Sequence, residues 1–165
     1  MTTMADHVDR VLAQWAEQRP DLDVSPMGVI GRLSRAALRA DTELKRVFAE
    51  HGLDRASFDV LATLRRNGPE RCMTPAELTR SAMVTSGAIT QRLDRLQARG
   101  LVSRTPSDTD GRVVLVKLTA EGRELIDRAL PDHVANEHRM LGGLSVAERD
   151  QLAALLSKLL TSFEG

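Results

Sequence analysis

The sequence predicts a mainly α-helical chain with one small β-hairpin. Three observations carry that prediction. Apolar residues recur at helical spacing through both ends of the chain. Capping signatures and glycine or proline stops divide it into helix-length pieces. One β-branched run, Val113-Val-Leu-Val-Lys-Leu118, follows a second short apolar run across a polar turn. The length, 165 residues, suits one domain spanning 1–165. Charged residues at 28% beside 42% hydrophobic ones exclude a disordered acidic or basic tail. No apolar run approaches membrane-spanning length, and the start MTTMADHVDR lacks an apolar signal core. The expected compartment is the cytoplasm.

The elements follow in order. Over 6–19, Val8, Val11, Leu12 and Trp15 fall on one helical face, and Pro20 ends the run. Ser25-Pro26 reads as a cap with proline at the first helical position, opening a long helix to about His51 that Gly52 stops. Asp54 caps a helix to about Asn67, with Phe58, Leu61 and Leu64 facing inward, and Asn67-Gly68-Pro69 breaks it. Thr74-Pro75-Ala76-Glu77 is a capping box opening a short helix over 75–82. Met83-Val84 is a tight connection, and Thr85-Ser86 caps the next helix, 87–99, which Gly100 stops. Two short helices so joined read as a helix-turn-helix. Strands at 101–106 and 113–118, joined by polar residues 107–111, add a wing. Thr119 caps a further helix that Pro131 should kink or break, and Gly142-Gly143 ends its second piece. Ser145-Val-Ala-Glu148 opens a final leucine-rich helix. The fold class is a winged helix-turn-helix at 54–118, with ligand and dimerisation helices at 6–51 and 119–165. The terminal helices carry more leucine than a small winged lobe can bury, and a second copy of the chain is the economical cover, an intramolecular bundle being the alternative.

Charge sharpens the function. The 23 basic and 23 acidic residues cancel, which at first argues against a nucleic-acid binder. Between Thr74 and Lys117, however, seven arginines and lysines face four acids, so this segment is +3 and the remainder −3. A positive reading head on an acidic body favours phosphate contact. Four aromatics and no tyrosine exclude a single-strand stacking platform. The second helix of the motif should enter the major groove of double-stranded DNA by its N-terminal residues. Thr85, Ser86 and Thr90 are small hydrogen-bonding residues; the first two also serve as caps. Gln91 can read adenine, and Arg95, one turn on, suits phosphate or guanine. At the wing, Arg112 fits a minor groove, with Asp110 able to hold it extended; an exposed turn ion pair is the plainer reading.

The stretch 78–122 resembles the MarR family of bacterial transcription regulators. The resemblance rests on Asp94-Arg95-Leu96, Gly100-Leu101-Val102, Asp110-x-Arg112 and Leu118-Thr119-x-x-Gly122. It implies a homodimer on a palindromic promoter, released by a small phenolic or anionic effector. The segment Trp15-Ala-Glu-Gln-Arg-Pro-Asp-Leu-Asp23 is similar to the PecS and urate-responsive branch, which implies an effector site at Trp15, Asp59, Arg92 and Arg104. The residue chemistry is compatible with urate, a planar monoanion. Trp15 offers a flat face, the arginines bind an anion, and Asp59 accepts N–H groups or pairs with an arginine. Plainer roles stay open: dimer packing for Trp15, a structural ion pair for Asp59 and a phosphate contact for Arg92.

No enzyme motif appears: HExxH, GxSxG and phosphate-cradling glycine loops are all missing from the sequence. His133 and His138 are five apart, poor spacing for a shared metal, so no cofactor or metal is expected, with a metal-responsive regulator of the same fold as an alternative. Cys72, the single cysteine, reads as a buried small hydrophobe in a short strand, with oxidation sensing as its alternative.

Overall fold

The computed structural model describes residues 5–68, 71–81, 89–107 and 110–164. Its elements are α1 (His7–Gln18), α2 (Ser25–Glu50), α3 (Arg55–Arg66), α4 (Pro75–Ser81), α5 (Ile89–Ala98), β1 (Val102–Pro106), β2 (Val114–Leu118), α6 (Ala120–Met140) and α7 (Val146–Glu164). The mainly helical architecture with an antiparallel two-stranded wing is therefore present. Contacts gather into two units, 1–43 and 44–165, and the division falls inside α2.

In the first unit, Asp6 caps α1 by accepting the Val8 and Asp9 amides, while Asp9 accepts the Asp6 amide. Arg32 on α2 bonds both carboxylates, which fixes the start of α1 against α2. Gly28 and Gly31 face Leu12 and Val8. A Cβ at Gly28 would lie 3.3 Å from the Leu12 side chain, so the small residues permit this close approach. Ser25 is the first residue of α2 rather than its cap. The Asp23 carboxylate accepts the Ser25 amide at 2.9 Å, because Asp23 stands two residues before it and a carboxylate is the stronger acceptor.

The second unit holds the winged lobe. α2 ends in a left-handed glycine: Gly52, with φ of 64°, donates to Ala49, and Leu53 donates to Phe48. α5 ends the same way, with Gly100 donating to Gln97 and Leu101 to Leu96. Asp54 caps α3 through the Ser57 amide at 2.7 Å. The Thr74–Glu77 and Ser145–Glu148 boxes both form. Leu61, Leu64, Leu78, Leu93, Leu96 and Ile126 pack into one buried core closed by Val102 and Val116. Val116 pairs with Arg104 on one side and with Met73 on the other, so the hairpin gains a one-residue third rung.

Two expectations are corrected here. The break at Pro131 does not occur: α6 is one continuous helix through it. The carbonyl that Pro131 leaves unbonded belongs to Asp127, and both residues are exposed, so water can satisfy it. Cys72 is half-buried rather than buried; the neighbouring Met73 takes the core position. None of the described helices is long and apolar enough to cross a membrane.

Candidate nucleic-acid interface and effector residues

α5 separates two chemistries by rotation. Leu93 and Leu96 are buried in the core, while Thr90, Gln91, Asp94 and Arg95 are exposed on the other side. A polar, hydrogen-bonding edge is thus presented by a helix whose back is fixed by packing. Thr85 and Ser86 lie outside the described residues. At the wing, the Asp110 carboxylate accepts the Arg112 backbone amide at 3.0 Å, and Val113 donates to the Asp110 carbonyl. Asp110 therefore shapes the turn that carries the exposed Arg112.

The four expected effector residues occupy different surroundings. Trp15 lies on α1 and is 41% exposed. Asp59 is half-buried on α3 and lines a cleft between α3 and α6. Arg92 bonds the Asp54 carboxylate, with Ser57 Oγ at 3.4 Å, and its side chain is only 20% exposed. Arg104, on β1, bonds Gln97 and Asp94 of α5 and is 26% exposed. Residues 92 and 94 differ by about 200° around a helix, so the two guanidiniums meet opposite sides of α5. The structure does not bring Arg92 and Arg104 together on one surface.

Sequence reasoning missed the partners that hold α5. Asp54 was legible as a cap but not as the acceptor for Arg92. Burial pushes its carboxyl up, but the Ser57 amide and hydroxyl and the Arg92 guanidinium outweigh this and hold it below the ordinary aspartate range. Arg99, seven residues after Arg92 and so on the same face, donates to the Gly52 carbonyl at 2.8 Å. Together they clip α5 and the residue after it to the α2–α3 connection at two points two residues apart. Arg65 and Arg66, in the last turn of α3, also went unremarked. Arg65 bonds Asp127 of α6 at 2.7 Å, and Arg66 bonds the Ser81 carbonyl of α4. The signal available was two adjacent arginines at a helix C-terminus, a pattern that the helix dipole alone explains. Among the described residues no cluster of His, Cys, Asp or Glu could hold a metal ion.

Comparison with known proteins fits this geometry. A model of the MarR family matches residues 51–113, from the end of α2 to the wing. The chain is 42% identical over 152 residues to HTH-type transcriptional regulator PecS of Dickeya dadantii, covering 92% of each. It is 32% identical to HTH-type transcriptional repressor NicR of Pseudomonas putida, over 87% of this chain and 91% of that one. Among solved structures, a mutant MarR from E. coli complexed with operator DNA superposes with a TM-score of 0.70 at 30% identity, covering 88% of this chain and 97% of that one. BpsR of Bordetella bronchiseptica, whose DNA binding is regulated by 6-hydroxynicotinic acid, gives 0.72 at 29% identity, covering 79% and 91%. These relatives are transcription regulators, not enzymes.

Proposed function

The chain belongs to the MarR family of DNA-binding transcriptional regulators, and on that premise we propose that it is a homodimeric repressor of a palindromic promoter, released by a small anionic effector. The observation that carries the DNA reading is the exposed Thr90–Gln91–Arg95 edge of α5 on a lobe of net positive charge. Gln91 reads an adenine, Arg95 a phosphate or guanine, and Arg112 enters the minor groove. Such a reader of chromosomal operators works in the cytoplasm. A homodimer is supported by the apolar side chains that α7 exposes, Leu152, Leu155, Leu160 and Phe163 among them.

Urate is the favoured effector, recognised by Trp15, Asp59, Arg92 and Arg104. Arg92 and Arg104 already hold Asp54 and Asp94, so urate acts by competition. Drawing Arg92 from Asp54 frees α5 from α3 at one of its two clips. Half-sites must match one turn of DNA, so a small shift of α5 weakens binding. An aromatic carboxylate is the second reading, favoured by the α3–α6 cleft and by the effector of BpsR.

The test uses a duplex selected by this protein from a random pool. Added urate should weaken the complex and change Trp15 emission, and the double variant Arg92→Ala with Arg104→Ala should lose the response. Unchanged affinity together with unchanged emission overturns urate; failure to select any duplex overturns the repressor.

A further inference from the structure

We propose that Arg99 is a positioning residue for DNA reading: its bond to the Gly52 carbonyl sets the tilt of α5, and so the separation of the two reading edges in a dimer. The inference rests on the reading of the chain as a homodimer on two half-sites. It adds a residue that belongs neither to the reading edge nor to the effector residues.

Packing and bonding divide the work of holding α5. Leu93 and Leu96 bury its back in the core. Apolar contact has no direction, so it fixes the depth of the helix and leaves its tilt to directional bonds. Two such bonds reach the α2–α3 connection. Arg92 bonds the Asp54 carboxylate, and Arg99, the residue after α5, donates from Nη1 to the Gly52 carbonyl at 2.8 Å. Residues seven apart stand about 10 Å apart along a helix axis and within about 20° around it. Two points on one face define a tilt; one point alone leaves a pivot.

The acceptor is itself fixed. Gly52, with φ of 64°, is the left-handed residue that ends α2; its amide donates to Ala49, and the Leu53 amide donates to Phe48. The Gly52 carbonyl is thus tied to the last turn of α2. A Cβ at Gly52 would lie 3.6 Å from Arg99 Nη2, so the guanidinium rests against the residue it bonds.

The residues after Arg99 carry the tilt onward. The Thr119 hydroxyl donates to the Gly100 carbonyl and the Thr119 amide to that of Leu101. The end of α5 therefore joins the end of α2 to the start of α6. From there α6 leads to α7, which carries the apolar face assigned to the partner copy. Tilting this ten-residue helix by about 10° shifts one end by about 2.6 Å, approaching the ~3.4 Å rise of one base pair. Two copies related by a two-fold axis each contribute the shift, and half-sites one turn apart no longer match.

The test uses the full chain, the duplex it selects from a random pool, and versions of that duplex with one or two base pairs inserted or removed between the half-sites. Arg99→Ala should bind the selected duplex about tenfold more weakly, the loss expected for one hydrogen bond to a charged group, while affinity for the altered spacings stays within about twofold. The logarithmic salt slope should hold, because no phosphate contact is removed. Arg99→Gln, shorter and uncharged, should behave alike and decides the matter if the alanine variant does not fold. Arg99→Lys keeps a charged donor and should restore part of the discrimination. An equal loss at every spacing reduces Arg99 to a stabilising residue, and a salt slope lowered by about 1 makes it a phosphate contact. Either result overturns the positioning role, as does a variant with the parent's spacing preference. A parent that binds every spacing alike overturns the two-half-site reading instead, and failure to select any duplex overturns DNA reading itself.

Discussion

At the residue scale, Asp54 joins two functions that substitution can separate. Its carboxylate caps α3 and also holds Arg92 of α5. Alanine removes both, and Asp54→Ala should cost about 1 kcal/mol in urea unfolding from the cap alone. Asparagine caps nearly as well but carries no charge, so Asp54→Asn isolates the ion pair. The Asp54 carboxyl is held below its ordinary range in the folded chain, so the folded state binds its proton later than the unfolded state does. Its contribution is therefore complete at neutral pH and is lost as pH falls below about 4. Acid titration of Asp54→Asn should show a shallower loss over that window than the parent; identical curves would remove the carboxylate from the account. The cap was legible because it depends on residues three apart. The pairing with Arg92 was not, because it joins residues 38 apart, and the sequence offered Asp59 as an equally good acid.

At the element scale, the joints between helices explain why separate motifs occur together. Thr119 caps α6 while its hydroxyl donates to the Gly100 carbonyl and its amide to that of Leu101. Gly122 then passes so close that a Cβ there would lie 1.9 Å from the Leu101 carbonyl oxygen. The Gly100-Leu101-Val102 and Leu118-Thr119-x-x-Gly122 patterns are thus two sides of one contact, which spacing along the chain could not reveal. Gly122→Ala should destabilise the lobe by about 3 kcal/mol or more, seen as a lowered Tm, because backbone rather than a flexible side chain must yield. Pro131 gives the opposite sign. α6 tolerates it on an exposed face, so Pro131→Ala should restore the bond to the Asp127 carbonyl and raise stability by between about 1 and 3 kcal/mol. An unchanged or lower Tm would show that the proline shapes α6 to a purpose. The ends of the elements were legible from capping boxes and left-handed glycines, which act locally. The passage through Pro131 depended on solvent access, which a local rule does not contain.

At the scale of the whole molecule, charge and apolar surface act over distances no single residue spans. The neutral total conceals a +3 segment, and Arg95 stands on its exposed edge. If Arg95 meets a phosphate, Arg95→Ala should weaken DNA binding and reduce the logarithmic salt slope by about 1. If it reads guanine instead, the slope should hold and sequence preference relax. Assembly gives the larger effect. On α7, Leu152, Leu155 and Phe163 fall within one arc of about 80°, since residues three and eleven apart differ by about 60° and 20° around a helix. Phe163 is 74% exposed and Leu160 is 62% exposed, far more apolar surface than a terminal helix keeps without a partner. Charges placed there, Leu160→Glu with Phe163→Glu, cannot be buried in pairs across a two-fold axis without like-charge repulsion. Sedimentation should show dimers for the parent and monomers for this variant. The winged lobe, whose core excludes α7, should keep its helical signal. DNA affinity should nevertheless fall by roughly a hundredfold or more, because the second half-site loses its effective concentration. A monomer that binds the same duplex undiminished would mean that one lobe suffices. A variant that stays dimeric would move the interface away from the end of α7.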